Sequence, residues 1–193
     1  MEDVKKNIRT DSTNQENISV FWTYTQLPTK NLEVFYELSH AKKMDEARDA
    51  ASKIIAPGLN IMYGDKDGNI AHWAAAKLYR RQDDARAELF QPDSVFYSLD
   101  NSYAFDDNPQ EVNPKCGYVL TANQEQQLGD ESFYPGYYAP DDRLNSITAL
   151  FDFENRGEKK ISADEVKKVF TSAIDVETEK IISFLQKFIF IPS

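Results

Sequence analysis

The sequence has a single cysteine, no long apolar run and no excess of basic residues, and each absence excludes a class of protein. Cys116 cannot form an internal disulfide and has no partner at metal-ligand or redox spacing, so we expect it to be a small packing residue. No run approaches the roughly 20 apolar residues of a membrane helix, and we expect no membrane partner. A net charge of -10 leaves none of the clustered Lys and Arg that bind phosphates, which predicts no nucleic-acid partner.

Several catalytic and ligand motifs are also missing. No serine lies in a Gly-x-Ser-x-Gly elbow, and no glycine-rich loop with Lys and Ser or Thr is present. We therefore expect His40 and His72 to be structural residues, the first exposed between two helices and the second on the face of a strand. Asp65, Asp67 and Asn69 have the spacing of the first calcium ligands of an EF-hand. The loop then lacks the glycine at its sixth position and the glutamate at its twelfth, so a hairpin turn is the better interpretation.

The 193 residues, 41% of them hydrophobic, are enough for one domain with a core or for two small ones, and no linker looks long enough to separate two independent domains. Residues 1–17 read as a leading strand and loop, 18–123 as strands with a helical hairpin, and 124–193 as a loop followed by C-terminal helices. The individual elements that we predict are strands at 5–10, 18–24 and, as a hairpin, 60–79, a possible pairing near 96–99, helices that begin near 31 and 44, and helices at 142–153, 163–173 and 176–190.

One further strand carries a polar residue at its end. Pro114 cannot donate a backbone hydrogen bond to a neighbouring strand, and Gly117 permits unusual backbone dihedrals. This strand should therefore occupy residues 118–122 and end at Asn123. An asparagine in that place is more often a turn residue than a hydrogen-bond donor to a site. Similarly, an arginine that follows two acids at a helix start, as Arg143 does, could simply pair with one of them.

Taken together, these motifs resemble the penicillin acylase family of N-terminal nucleophile hydrolases. The resemblance runs from about Lys5 to the C-terminus. It is carried by Trp22-Thr23, residues 35–41, Pro57, Asn60, Tyr63, Asp65, residues 67–70, Arg80-Arg81, Asn113-Pro114, Gly117-Tyr118, Thr121-Ala122-Asn123, Arg143 and residues 162–175.

The resemblance implies an α+β fold, with an antiparallel β-sheet and packed helices as part of an αββα architecture, and it implies hydrolysis of linear amides. In that family the α-amino group that begins the β subunit acts as base for the same residue's Ser, Thr or Cys side chain. By position, Asn123 looks like the asparagine that stabilises the oxyanion, and Arg143 like the arginine that supports the site. No nucleophile of this kind stands at the start of the sequence, so we expect the chain to be an interior part of a β subunit, inert by itself.

The resemblance also implies partners and a location. We expect a small amide substrate, the remainder of the α and β subunits, and a parent protein that is periplasmic or secreted. We predict no cofactor and no metal, although some relatives bind calcium and Asp130 is a remote candidate ligand. Where the family commonly has a second asparagine, this chain has Gln124.

Two alternatives stay open from the sequence. The chain could be a binding or packing module in which Asn123 is only a turn and the aromatic loop at residues 133–138 holds a partner. It could also belong to an inactive homologue.

Overall fold

The computed structural model describes residues 8–10, 17–19, 23–80, 101–136, 138, 140–151, 160–171 and 182–184. The chain divides into two compact units. The first comprises Met1–Val119 and Gln126–Pro135, and the second comprises Leu120–Glu125 and Gly136–Ser193.

The first unit begins with a short antiparallel pair of strands, β1 (Ile8–Thr10) and β2 (Asn17–Ser19), as the sequence predicts for part of its leading region. The prediction that a strand continues to Tyr24 is wrong, because Thr23 and Tyr24 begin helix α1 (Thr23–Gln26). This single helical turn is closed by the bond from the Leu27 amide to the Thr23 carbonyl, 3.1 Å, and Pro28 follows it.

Two helices that contact each other follow, α2 (Asn31–His40) and α3 (Met44–Ala51), and both are predicted by the sequence. The Asn31 side chain fixes the start of the pair by donating to the Ala56 carbonyl, 2.9 Å away. The small side chains of α3 let it approach the sheet closely, and Ala47, Ala50 and Ala51 are buried.

The sheet contains three antiparallel strands in the order β3 (Leu59–Gly64), β4 (Ile70–Ala75) and β5 (Gln110–Val112). The predicted hairpin is confirmed, with Leu59 opposite Ala75 and Gly64 opposite Ile70. Strand β5 was not predicted, because its three residues carry no alternating pattern. The central strand is the most buried, and the core around it consists of Val34, Ala47, Ala51, Ile54, Ala71, Trp73 and Ala75.

The hairpin turn is held by one carboxylate. Asp65 accepts hydrogen bonds from the backbone amides of Asp67 and Asn69, each 2.9 Å, and from the Asn69 side chain, 2.8 Å. Gly68 supplies the positive φ of 89° that the turn requires. The residues that resemble a calcium loop therefore form a hairpin turn, as the sequence predicts.

The predicted strand at residues 118–122 is wrong, since the structure assigns no strand there. The Gln124 side chain takes the place of a neighbouring strand, because it bonds the Ala122 amide and the Leu120 carbonyl. The expectation that Cys116 packs inside is also wrong. Its thiol is exposed and donates to the Tyr118 carbonyl, 3.3 Å away.

The second unit contains helices α4 (Asp142–Phe151) and α5 (Ala163–Thr171), which contact each other and correspond to predicted helices. The predicted capping box at the start of α5 is present. The Ser162 hydroxyl accepts from the Glu165 amide, 3.2 Å, and the Glu165 carboxylate accepts from the Ser162 amide, 2.8 Å. The possible pairing at 96–99 lies outside the described residues, as does the last predicted helix except for residues 182–184, which are helical.

Candidate active site

The structure brings Asn123 and Arg143 into direct contact within the second unit. Arg143 lies in the first turn of α4, and one terminal nitrogen of its guanidinium (Nη2) donates to two oxygens at once. These are the Asn123 side-chain oxygen, at 2.6 Å, and the Ala122 backbone carbonyl, at 2.7 Å. The arginine therefore fixes both the side chain of Asn123 and the backbone immediately before it.

The Asn123 backbone has a left-handed conformation with φ of 64°. Asparagine adopts this region more readily than other residues with a Cβ atom, because its short polar side chain can bond locally. Neighbouring groups hold the turn. The Gln124 side-chain oxygen accepts from the Ala122 amide at 2.6 Å, and the Thr121 hydroxyl lies 3.4 Å from the Asn123 amide nitrogen. The residue that the sequence places at the end of a strand is thus the apex of a braced turn.

The contact with Arg143 also determines which way the Asn123 amide faces. A guanidinium has only donors, so it selects the amide oxygen of Asn123 and directs the Nδ2 amino group away. Among the described residues, no hydrogen bond uses that amino group, and the Asn123 side chain is exposed. The arrangement presents an oriented N–H donor to the surface.

The sequence also allows a simpler role for Arg143, an ion pair with one of the two acids before it. The structure does not show this ion pair. Within the part of the chain that the structure describes, the Arg143 guanidinium bonds Ala122 and Asn123 and forms no ion pair with Asp141 or Asp142. The backbone of those two acids instead supports the helix start, where the Asp141 carbonyl accepts the Asn145 amide at 2.7 Å.

Comparison with known proteins identifies the family. The model of the penicillin amidase family matches residues 4–190. The chain belongs to the penicillin amidase family. It is 29% identical over 119 residues to the acyl-homoserine lactone acylase QuiP of Pseudomonas aeruginosa, a match that covers 55% of this chain and 13% of that protein.

A solved structure shows the same fold. The thermostable penicillin G acylase of Alcaligenes faecalis matches 72% of this chain and 24% of its own, with a TM-score of 0.57 and 24% identity. The predicted α+β fold class is confirmed, with helices packed on an antiparallel sheet as in the penicillin amidase family. The chain thus spans about an eighth to a quarter of the length of these relatives.

Both histidines of this penicillin amidase domain belong to the first unit, whereas Asn123 belongs to the second. His72 is 3% exposed, and its Nε2 atom is 2.8 Å from the Asn60 side-chain oxygen. Burial lowers the pKa of His72, so the ring is neutral at pH 7. His40 is exposed and stacks on Tyr36 with ring centroids 4.1 Å apart. Both positions agree with the structural roles that the sequence predicts.

The candidate calcium ligand Asp130 is engaged in its own turn. Its carboxylate accepts bonds from the Ser132 hydroxyl, 2.5 Å, and the Ser132 amide, 3.1 Å, and these bonds hold the pKa of Asp130 below its ordinary value. Across the described ranges, no three His, Cys, Asp or Glu side chains come together as metal ligands. No described helix is long and apolar enough to cross a bilayer. The expectation that the chain binds no metal and no cofactor stays a prediction.

Gln124 contacts the backbone of the Asn123 turn, and the sequence does not predict this contact. In the sequence, Gln124 is notable only as a departure from the family pattern. A long carboxamide directly after a turn residue is a weak signal, because only the backbone path shows which groups it can reach.

Proposed function

We propose that this chain supplies Asn123 as an oxyanion donor, and Arg143 as the residue that orients it, to the active site of an acylase that hydrolyses linear amides. The observation that carries the proposal is the 2.6 Å bond from Arg143 to the Asn123 oxygen, which leaves the Nδ2 amino group of Asn123 directed away from the arginine. Membership of the penicillin amidase family supports the class of reaction.

The chemistry follows from what each group can do. The nucleophile is the N-terminal Ser, Thr or Cys of the β subunit, outside these 193 residues, and its own α-amino group takes the proton as the side chain attacks the amide carbon. Negative charge then moves to the carbonyl oxygen, where the Asn123 N–H stabilises it. When the tetrahedral intermediate collapses, the amine leaves with the proton and an acyl-enzyme remains for water to hydrolyse.

The substrate is an acyl group joined to an amine through a linear amide. This class includes the substrates named for two relatives, an acyl-homoserine lactone acylase and a penicillin G acylase. In this proposal the remaining α and β subunits complete the site, the precursor processes itself to expose the nucleophile, and the parent protein is periplasmic or secreted.

Substitution of Asn123 in the longer processed acylase tests the proposal. Asn123→Asp keeps an oxygen for Arg143 but removes the N–H donor, and Asn123→Gly removes the amide while tolerating φ of 64°. Each variant should lower kcat by about a hundredfold to a thousandfold. The matched control is Asn145→Ala on the exposed face of α4, which should retain full activity.

Two results would contradict the proposal. Unchanged turnover of N-acyl homoserine lactones and aryl-acyl amides by a folded Asn123→Asp acylase would favour the non-catalytic module. Hydrolysis by the 193-residue chain alone would show that the nucleophile has been placed wrongly.

A further inference from the structure

The Gln124 side chain bridges two backbone groups on the N-terminal side of Asn123. Its oxygen accepts from the Ala122 amide at 2.6 Å, and its amino group donates to the Leu120 carbonyl at 3.3 Å. Gln124 is half-buried, so these bonds compete less with water than the bonds of an exposed side chain would.

The two hydrogen bonds of Gln124 close residues 120–124 into a small ring, and the backbone of Asn123 is part of this ring. The Ala122 amide and the Leu120 carbonyl are groups that a neighbouring strand would pair, and Gln124 pairs them instead. One peptide unit further on, the Ala122 carbonyl accepts from Arg143 at 2.7 Å. The backbone that carries Asn123 is therefore held by the side chain of Gln124 and by the guanidinium of Arg143.

Arg143 and Gln124 support Asn123 in different ways. Arg143 bonds the Asn123 side-chain oxygen and so sets the rotation of the amide. Gln124 has no bond to that amide, but it holds the peptide units from which the side chain projects. An oxyanion donor has to lie within about 0.5 Å of its productive position to be effective, so a freely moving turn would weaken it even with Arg143 in place.

We propose that Gln124 is a positioning residue for the oxyanion donor Asn123, acting through the backbone turn and not by touching the substrate. The inference rests on the proposed function, because it assumes that Asn123 donates to the reacting carbonyl oxygen. It adds a residue to the site and a bond, from the Ala122 amide to Gln124, on which the rate should depend.

Two variants separate the hydrogen bonds of Gln124 from its volume. Gln124→Met has nearly the same length but can neither accept from Ala122 nor donate to Leu120 with comparable strength. Gln124→Glu keeps an oxygen for the Ala122 amide, but it loses the donor to Leu120 and places a negative charge beside that carbonyl. A matched control is Gln127→Met, which makes the same change at a nearby exposed glutamine.

In the longer processed acylase, Gln124→Met should lower kcat by about tenfold while KM changes by less than about twofold, because the turn matters most when charge develops on the oxygen. Gln124→Glu should recover at least about a third of the lost rate, since it restores the shorter of the two bonds. The Ala122 amide should exchange with solvent faster in Gln124→Met than in the wild type or in Gln124→Glu.

The inference is overturned if Gln124→Met retains the wild-type kcat, or if Gln124→Met and Gln124→Glu lose rate equally while their thermal stabilities fall together. Asn123→Asp distinguishes this failure from failure of the proposed function. If Asn123→Asp abolishes turnover and Gln124→Met does not change it, only the role of Gln124 is wrong. If Asn123→Asp is fully active, the oxyanion role itself is wrong.

Discussion

At the scale of single residues, the candidate site depends on the directional chemistry of one guanidinium. Arg143 can donate but not accept, so its contact with Asn123 chooses between two orientations of the amide that are nearly equal in shape. A positively charged group without fixed donor directions would hold the Asn123 amide in one of these orientations less firmly.

Substitution of Arg143 should therefore reduce the rate more than the stability. In the longer acylase, Arg143→Met should lower kcat by about tenfold to a hundredfold, because the Asn123 amide is free to rotate. Arg143→Lys should fall between Met and the wild type, since an ammonium group can reach one oxygen but lacks the planar fork. The measurement is kcat with one linear amide substrate, and Asn145→Ala again serves as the control. Equal rates for all these proteins would contradict an orienting role.

His72 should make the stability of the first unit depend on pH. Burial lowers the pKa of His72 in the folded state, whereas in the unfolded chain it returns to about 6.5. Below that pH the unfolded state binds more protons, so the free energy of unfolding should decrease as the pH falls from about 6.5 and level off below the folded pKa.

Urea unfolding followed by tryptophan fluorescence at pH 7.5 and at lower pH measures this effect, because Trp73 is fully buried beside His72 in β4. His72→Gln should reduce the pH dependence. The prediction fails if this variant keeps the wild-type slope.

At the scale of elements, the sequence predicts those whose signals are local. The hairpin of β3 and β4 is marked by Asp-Gly between apolar runs, and α5 by the capping box of Ser162 and Glu165, and both are present. The strand at 118–122 was predicted from the same kind of apolar run. A strand also needs a partner, and the sequence does not show that Gln124 satisfies the backbone there.

The candidate site also combines features that can be predicted from the sequence with features that cannot. Asn123 and Arg143 are 20 residues apart and could be singled out from the sequence only through resemblance to a family. Their 2.6 Å contact depends on where α4 begins relative to the turn, which no local pattern specifies. The role of Gln124 depends on the same backbone path.

Two glycines of the β3–β4 hairpin allow the turn geometry to be tested. A Cβ atom added at Gly64 or at Gly68 would meet nothing within 4 Å, but only Gly68 has a positive φ, 89°. Gly68→Ala should therefore destabilise the first unit by about 1–2 kcal/mol through backbone strain. Gly64→Ala, the matched control, should be neutral or slightly stabilising. Urea unfolding measures both, and equal effects would show that backbone conformation does not control the turn.

At the scale of the whole molecule, the chain is acidic but exposes an apolar face on α2. The face consists of Leu32, Phe35 and Tyr36, which are 86%, 47% and 64% exposed. The core takes Val34 and Leu38 from a different face of the same helix, because an α-helix can turn only one face toward the sheet.

This face should make the 193-residue chain self-associate. An exposed apolar patch favours association, and the net charge of -10 opposes it by repulsion that salt screens. We therefore expect sedimentation velocity to show more association as the salt concentration rises. Leu32→Glu should weaken association at every salt concentration. Gln127→Glu adds the same charge at an exposed residue that is not part of α2, and it should weaken association only at low salt. If the two variants behave alike, charge alone governs association and the apolar face of α2 plays no part.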